Sequence, residues 1–122
     1  MTLSKTIQSP LAKSRPLLSV LDFDRSALLS RITDILKRKN VAMAYLVGSY
    51  ARQEATLWSD IDLIIVCDST TPFIERPRVF AELLDIGIPF DILVYTPQEF
   101  ASLEQDPTSF WKTTQAERLR IV

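Results

Sequence analysis

The sequence predicts an α+β fold in which helices pack on a small mixed β-sheet. Three apolar runs of strand length carry this prediction, at residues 41–47, 60–67 and 88–95. Segments with helical spacing or helix-capping residues precede, separate and follow these runs. Because 122 residues leave room for one compact domain, these elements are expected to share a single core.

The first element is a helix that is expected to run to about Lys39. Asp22 or Asp24 can cap its start, because an aspartate side chain accepts hydrogen bonds from the unpaired N–H groups of the first turn. Asn40 is a suitable stop for it. Its apolar face contains Leu28, Leu29, Ile32, Ile35 and Leu36.

The segment before this helix, residues 1–21, mixes Ser, Thr, Lys and two prolines with little periodicity. We therefore expect a flexible or loosely docked N-terminal arm over these residues. Residues 22–122 are expected to form a single domain.

The first strand is expected to lead into a short helix over residues 49–57 and then into a second, central strand. A further helix is expected over about 75–86, before the third strand. Pro89 lies near the start of the third strand, where proline indicates either the beginning of a strand or an edge position.

After the third strand, Thr96 and Glu99 have the spacing of a capping box, with Pro97 at the first helical position. Asp106-Pro107 is expected to open another helix, and residues 118–122 are expected to form a terminal strand.

Composition indicates an ordinary globular protein, since 47% of the residues are hydrophobic and 24% are charged. The apolar runs are far shorter than the roughly 20 residues of a membrane helix, so no membrane association is expected. The N-terminus lacks the apolar core and cleavage site of a signal peptide. One cysteine, Cys67, cannot form an internal disulfide, which fits a reducing cytoplasm. We expect a cytoplasmic protein.

Histidine is absent from the sequence, and this excludes several classes of site. Neither a Ser-His-Asp triad nor a Cys-His pair nor a histidine-ligated zinc site can be supplied by this chain alone. Any metal must be held mainly by carboxylates, which favours magnesium or manganese.

The net charge of −1 conceals an asymmetry along the chain. Residues 1–40 contain eight basic and three acidic residues, whereas residues 41–122 contain six basic and twelve acidic ones. The densest basic run, Lys37-Arg38-Lys39, is placed where cations stabilise the C-terminus of a helix. Direct binding to nucleic acid is therefore not expected.

Two short motifs carry the chemistry. Asp60 and Asp62 open the second strand, where alternate residues share a face, so their carboxylates repel each other and call for a divalent cation with oxygen ligands. Gly48-Ser49 ends the first strand, and such a turn at the start of a helix exposes N–H groups that suit a phosphate. The alternatives are that Asp60 and Asp62 are ordinary polar residues at a solvated strand end, and that Gly48-Ser49 is a plain strand-to-helix turn.

The pattern Gly48-Ser49, ten residues, then Asp60-Ile61-Asp62 and an apolar strand resembles the signature of the DNA polymerase β nucleotidyltransferase superfamily. The resemblance covers about residues 42–97 and implies a polymerase-β-like core. The shortness of the chain and the residues around both motifs are similar to those of the minimal nucleotidyltransferases (MNT), which pair with HEPN-domain toxins as antitoxins.

The resemblance also implies roles for individual residues. Asp60 and Asp62 would bind two Mg²⁺ ions, or Mn²⁺, and Asp91 on the third strand would supply the third catalytic and metal-binding carboxylate. Gly48 and Ser49 would hold the nucleotide phosphates, and Arg52 could steer them, although a solvated helix-face arginine is the alternative. ATP would be the substrate.

One position departs from the family pattern. Many relatives carry a second glycine four residues after the serine, where this chain has Gln53. This longer side chain could narrow the approach to the triphosphate or face solvent.

Three functions fit these observations. In the preferred one, the protein transfers AMP from ATP to a tyrosine of a partner HEPN-type toxin (AMPylation) and so acts as its antitoxin. In the second, it neutralises the partner by binding alone. In the third, it modifies a small molecule such as an antibiotic.

Overall fold

The computed structural model describes residues 17–122, and the following elements lie within them. The strands are β1 (Met43–Val47), β2 (Ile61–Val66), β3 (Phe90–Tyr95) and β4 (Leu119–Arg120). The α-helices are α1 (Arg25–Arg38), α2 (Gly48–Ala51), α3 (Pro97–Leu103) and α4 (Ser109–Glu117). A 3-10 turn forms over Val20–Asp22, and a longer 3-10 segment over Phe73–Ile86.

The strands form one mixed sheet in the order β3-β2-β1-β4. β2 is parallel to β3 and antiparallel to β1, and β4 pairs with the other side of β1 in antiparallel orientation. This arrangement confirms the predicted α+β class with a mixed sheet. β3 lies at an edge, which explains how the sheet accommodates Pro89 just before it.

Helix α1 follows the prediction closely. Asp24 caps it by accepting a hydrogen bond of 3.0 Å from the N–H of Ala27. Asn40 follows the helix with a φ of 59°, the left-handed conformation in which asparagine commonly ends helices. The buried residues of α1 are Leu28, Ile32, Ile35 and Leu36.

The sheet has two differently covered faces. Ile61, Leu63 and Ile65 of β2 pack in the main core with α1 and the 3-10 segment. Ile64 and Val66 point to the opposite face, into a smaller cluster with Tyr45, Phe100 and Trp111. Because side chains alternate along a strand, Asp62 is in phase with Ile64 and lies on this second face, under α3 and α4.

Three helix predictions need correction. The helix predicted over 49–57 is the four-residue α2, because Gln53 adopts a left-handed φ of 60° and stops it. The segment predicted as a helix over 75–86 is 3-10 helical, with Pro77 inside and a kink at Phe80. The helix expected to open at Asp106-Pro107 begins at Ser109 instead, after Thr108.

Arg76 anchors the 3-10 segment to the sheet and was not singled out by the sequence. Its side chain is buried and donates to the carbonyls of Thr71 at 2.9 Å and Val94 at 3.1 Å, and to the Glu99 carboxylate at 2.6 Å. Glu99 also completes the predicted capping box of α3 by accepting from the N–H of Thr96 at 2.9 Å.

Most of the predicted N-terminal arm, residues 1–16, lies outside the described residues. Ser19 and Val20 are buried, and Ser19 caps the first 3-10 turn. None of the helices in the described part of the chain combines the length and the apolar character that crossing a bilayer requires.

Candidate functional site

The turn at Gly48 brings the backbone against a carboxylate. Gly48 has a φ of +76°, which L side chains rarely adopt. A Cβ atom built on it would overlap Oδ2 of Asp62 and lie 3.0 Å from the carboxyl carbon. Only glycine therefore fits at this position, where α2 begins directly after β1.

Asp62 and Asp91 are brought together by the parallel pairing of β2 and β3. The two residues are direct partners in the register, so their side chains leave the same face of the sheet side by side. Both line a cavity of about 400 Å³, whose wall also includes Gly48. The cavity is of a size that accommodates a small ligand.

The surroundings of Asp62 disfavour its ionised form. Its pKa is raised from 3.8 to about 6, first by burial and then by the negative charges of Asp91 and Asp60, while Arg52 acts in the opposite direction. A cation placed between these carboxylates would relieve the repulsion.

Asp60 is less closely integrated than its neighbours. It precedes β2, is exposed and does not line the cavity, although its charge reaches Asp62. Across residues 17–122, no group of three or more histidine, cysteine, aspartate or glutamate side chains is arranged to hold a metal ion. The structure thus brings Asp62 and Asp91 together and leaves Asp60 at the edge.

The donor set nevertheless fits Mg²⁺. This ion is commonly held by one or two carboxylates and takes its other ligands from water and from substrate phosphates. Asp62 and Asp91 supply two adjacent carboxylates of this kind, and the overlap that a Cβ on Gly48 would cause shows how closely backbone and carboxylate approach here.

Ser49 is held by a serine that the sequence did not single out. The Ser49 hydroxyl donates to Oγ of Ser59 at 3.1 Å. Oγ of Ser59 also accepts a hydrogen bond from the N–H of Thr56 at 2.8 Å. Ser49 is therefore tied to the loop that leads into Asp60. The signal available for Ser59 is its position directly before the Asp60-Ile61-Asp62 motif.

Arg52 lies one turn beyond Ser49 and is engaged by two carboxylates. Its Nε donates to Glu54 at 2.9 Å and its Nη1 donates to Glu117 at 3.0 Å. Glu117 lines the cavity together with Asp62 and Asp91. No local sequence motif marks Glu117, because its contact with Arg52 joins residues 65 positions apart.

The far wall of the cavity is provided by α4. Its lining residues from this helix are Ser109, Phe110, Thr113, Thr114 and Glu117. Phe110 is 54% exposed and Trp111, beside it, is 4% exposed in the smaller core cluster. Helix α4 is thus anchored by one aromatic residue and presents the other at the cavity.

Gln53 does not reach this cavity. It is exposed and lines a separate depression next to Arg25 and Tyr50. Of the two possibilities raised by the sequence, the structure shows the one in which Gln53 faces solvent.

The mixed sheet and the Gly48 turn beside paired aspartates are features of a nucleotidyltransferase. The chain matches the family model for polymerase beta, nucleotidyltransferase, over residues 30–116. The match covers more than half of the chain, so the protein belongs to this family. No curated protein matches the sequence closely enough to count as a relative.

Solved structures share the fold at low identity. A toxin–antitoxin crystal structure with AMP-PNP is 20% identical with a TM-score of 0.51, over 77% of this chain and 72% of that one. The toxin–antitoxin pair MntA-HepT gives 16% and 0.53, over 80% and 72%. A candidate nucleotidyltransferase from Sulfolobus solfataricus gives 18% and 0.50, over 78% and 79%. At these identities, the similarity establishes the fold.

Proposed function

We propose that this protein is a metal-dependent nucleotidyltransferase that transfers AMP from ATP to a tyrosine hydroxyl of a HEPN-type toxin and acts as its antitoxin. The observation that carries the proposal is the side-by-side placement of Asp62 and Asp91 next to the Gly48 turn, at the rim of one cavity. Membership of the nucleotidyltransferase family supports the reaction class.

Asp62 and Asp91, with Asp60 nearby, are the residues that would hold Mg²⁺. When bound, the ion neutralises charge on the triphosphate and on the departing pyrophosphate. The absence of histidine leaves this work to carboxylates.

The chain's own residues would bind the nucleotide and accept a proton. Gly48 leaves room for a phosphate beside the backbone, while Ser49 and Arg52 offer a hydroxyl and a guanidinium. The tyrosine oxygen attacks the α-phosphorus, its proton passes to the Asp91 carboxylate, and pyrophosphate leaves. The products are an AMP-tyrosine ester and pyrophosphate.

A toxin as the acceptor is supported by the fold. The similar structures include a toxin–antitoxin complex with AMP-PNP and the MntA-HepT pair. Phe110 is exposed where α4 meets the cavity, so an acceptor approaching the site would meet an aromatic surface.

The experiment combines the protein with ATP labelled in the adenine or α-phosphate, Mg²⁺ and the protein encoded by the neighbouring gene, which the proposal expects to be a HEPN-type toxin. We expect label on the partner, and a tyrosine as the modified residue by mass spectrometry. Asp91→Asn should abolish transfer, whereas Asp68→Asn, in an exposed loop outside the cavity, should leave it unchanged.

Two outcomes would replace this proposal with another. If no label is transferred, and Asp62→Asn/Asp91→Asn still suppresses the toxicity of the partner in cells, the protein acts by binding alone. If label passes to an aminoglycoside and not to the protein partner, the acceptor is a small molecule.

A further inference from the structure

The cavity contains a carboxylate that the proposed chemistry does not use. Glu117 is the last residue of α4, and its Oε1 accepts a hydrogen bond of 3.0 Å from Nη1 of Arg52. Arg52 directly follows α2, whose first residue is Gly48. The contact therefore joins the helix that begins at the phosphate turn to the helix that forms the opposite wall.

Arg52 has two acidic partners, which differ in their surroundings. The Glu54 side chain is 67% exposed, whereas that of Glu117 is 21% exposed. Glu117 lines the cavity and Glu54 does not. Solvent screens the contact with the exposed Glu54 more than the contact with Glu117, and Glu117 is the partner whose charge lies at the cavity wall.

We propose that Glu117 is a positioning residue that holds Arg52 beside the cavity, whose wall Arg52 does not itself line, and competes with the nucleotide for it. This inference rests on the proposed function, because it takes the triphosphate to bind in this cavity. Carboxylate and phosphate oxygens bind the same guanidinium N–H groups. A phosphate that binds the same Nη1 group of Arg52 displaces Glu117, and this breaks the contact between Arg52 and α4.

Two physical effects make nucleotide affinity depend on Glu117. Its negative charge repels the triphosphate, and its hydrogen bond competes with a phosphate for Nη1 of Arg52. Glu117→Gln removes the charge and weakens the hydrogen bond while keeping the shape of the side chain. The dissociation constant for ATP with Mg²⁺ should fall about fivefold, and that for adenosine, which has no phosphate, should not change.

Glu54→Gln is the matched control, because it also removes an acidic partner of Arg52 but lies outside the cavity. It should change the dissociation constant for ATP by less than about twofold. Arg52→Gln tests the route of the effect. In that background, Glu117→Gln should keep only the part of its benefit that comes from removing the repulsion of the triphosphate, because the competition for Arg52 is gone.

Isothermal titration with ATP and with adenosine separates the outcomes. Equal gains from Glu117→Gln and Glu54→Gln, or a gain for adenosine as large as that for ATP, would overturn the role of Glu117. So would an undiminished gain in the Arg52→Gln background. If the parent binds no ATP, both this inference and the proposed function fail. If ATP binds with the expected pattern but no AMP is transferred, the proposed function fails alone.

Discussion

Asp62 stands in surroundings that oppose its own ionisation. Burial and the charges of Asp91 and Asp60 raise its pKa to about 6, from an ordinary value of 3.8. Between these two values, the folded protein binds a proton that the unfolded chain releases. The contribution of Asp62 to stability is therefore fully present below about pH 3.8 and is lost as the pH rises through about 6.

Asp62→Asn should accordingly stabilise the protein in the absence of metal and nucleotide. At pH 7 we expect the free energy of unfolding to rise by about 1 kcal/mol after allowance for solvent screening, and the gain to vanish near pH 4. Urea denaturation at both pH values measures this. Asp68→Asn, in an exposed loop, is the control and should have little effect. Destabilisation by Asp62→Asn at pH 7 would contradict the electrostatic argument.

Both the backbone conformation of Gly48 and the adjacent Asp62 carboxylate exclude a side chain at this position. Gly48→Ala would place a side chain in the left-handed region and against the Asp62 carboxylate. We expect a loss of about 1–2 kcal/mol or more in the free energy of unfolding, together with weaker binding of ATP. Thermal denaturation and titration with ATP measure the two effects.

Gly87→Ala provides a matched comparison for Gly48→Ala. Gly87 has a φ of +94°, and a Cβ there would lie 3.1 Å from a methyl carbon of Leu18, away from the cavity. This variant should lose stability and bind ATP normally. If Gly48→Ala also binds ATP normally, the turn does not serve the phosphate.

Helix α2 ends at Ala51, and two residues later Gln53 adopts a backbone conformation to which it is poorly suited. Gln53 has a φ of 60° and its side chain faces solvent. Gln53→Gly should raise the free energy of unfolding by about 0.5–1 kcal/mol, because relief of the left-handed strain exceeds the added freedom of the unfolded chain. Thermal denaturation measures the gain.

Asn40→Gly is the control for Gln53→Gly, since Asn40 has a φ of 59° after α1 and asparagine tolerates this region better. It should give a smaller gain. Neither change should alter ATP affinity, because neither residue lines the cavity. A change in ATP affinity in Gln53→Gly would mean that residue 53 does contact the nucleotide.

The elements that the sequence predicted well are those with long, regular patterns. α1 was found because its apolar periodicity matches its buried face, and the three main strands were found because each is an apolar run of strand length. The segment over Phe73–Ile86 was not found as 3-10 helix, because its conformation depends on Pro77 and on distant partners of Arg76 such as Val94. α2 was predicted too long, since its end depends on one left-handed residue.

The residues of the candidate site also differ in whether the sequence could predict them. The local motifs, Gly48-Ser49 and Asp60-x-Asp62, could be recognised in the sequence, and Asp91 on the third strand was predicted as the third carboxylate from the family resemblance. The register now places Asp91 against Asp62. Glu117 could not be predicted, because its place in the cavity results from the return of α4 across the sheet. The catalytic roles of these residues stay predictions.

In the molecule as a whole, the candidate site lies where helices leave part of the sheet uncovered. One face is sealed by α1 and the 3-10 segment in the main core. The other face is covered by α3 and α4, which leave the cavity over the adjoining ends of β1, β2 and β3. A ligand bound there would contact three strands and α4 at once, so its binding should stabilise the whole fold.

Mg²⁺ and a non-hydrolysable ATP analogue together should therefore raise the Tm. At a free nucleotide concentration of about one hundred times the dissociation constant, binding to the folded state alone adds about 2.7 kcal/mol. Either ligand alone should give a much smaller rise, because the carboxylates repel a triphosphate without the cation, and the cation takes part of its ligands from phosphate. Asp91→Asn should lose the combined effect, whereas Asp68→Asn should keep it. Equal rises in the parent and in Asp91→Asn would place the nucleotide away from the carboxylate pair and so contradict the site.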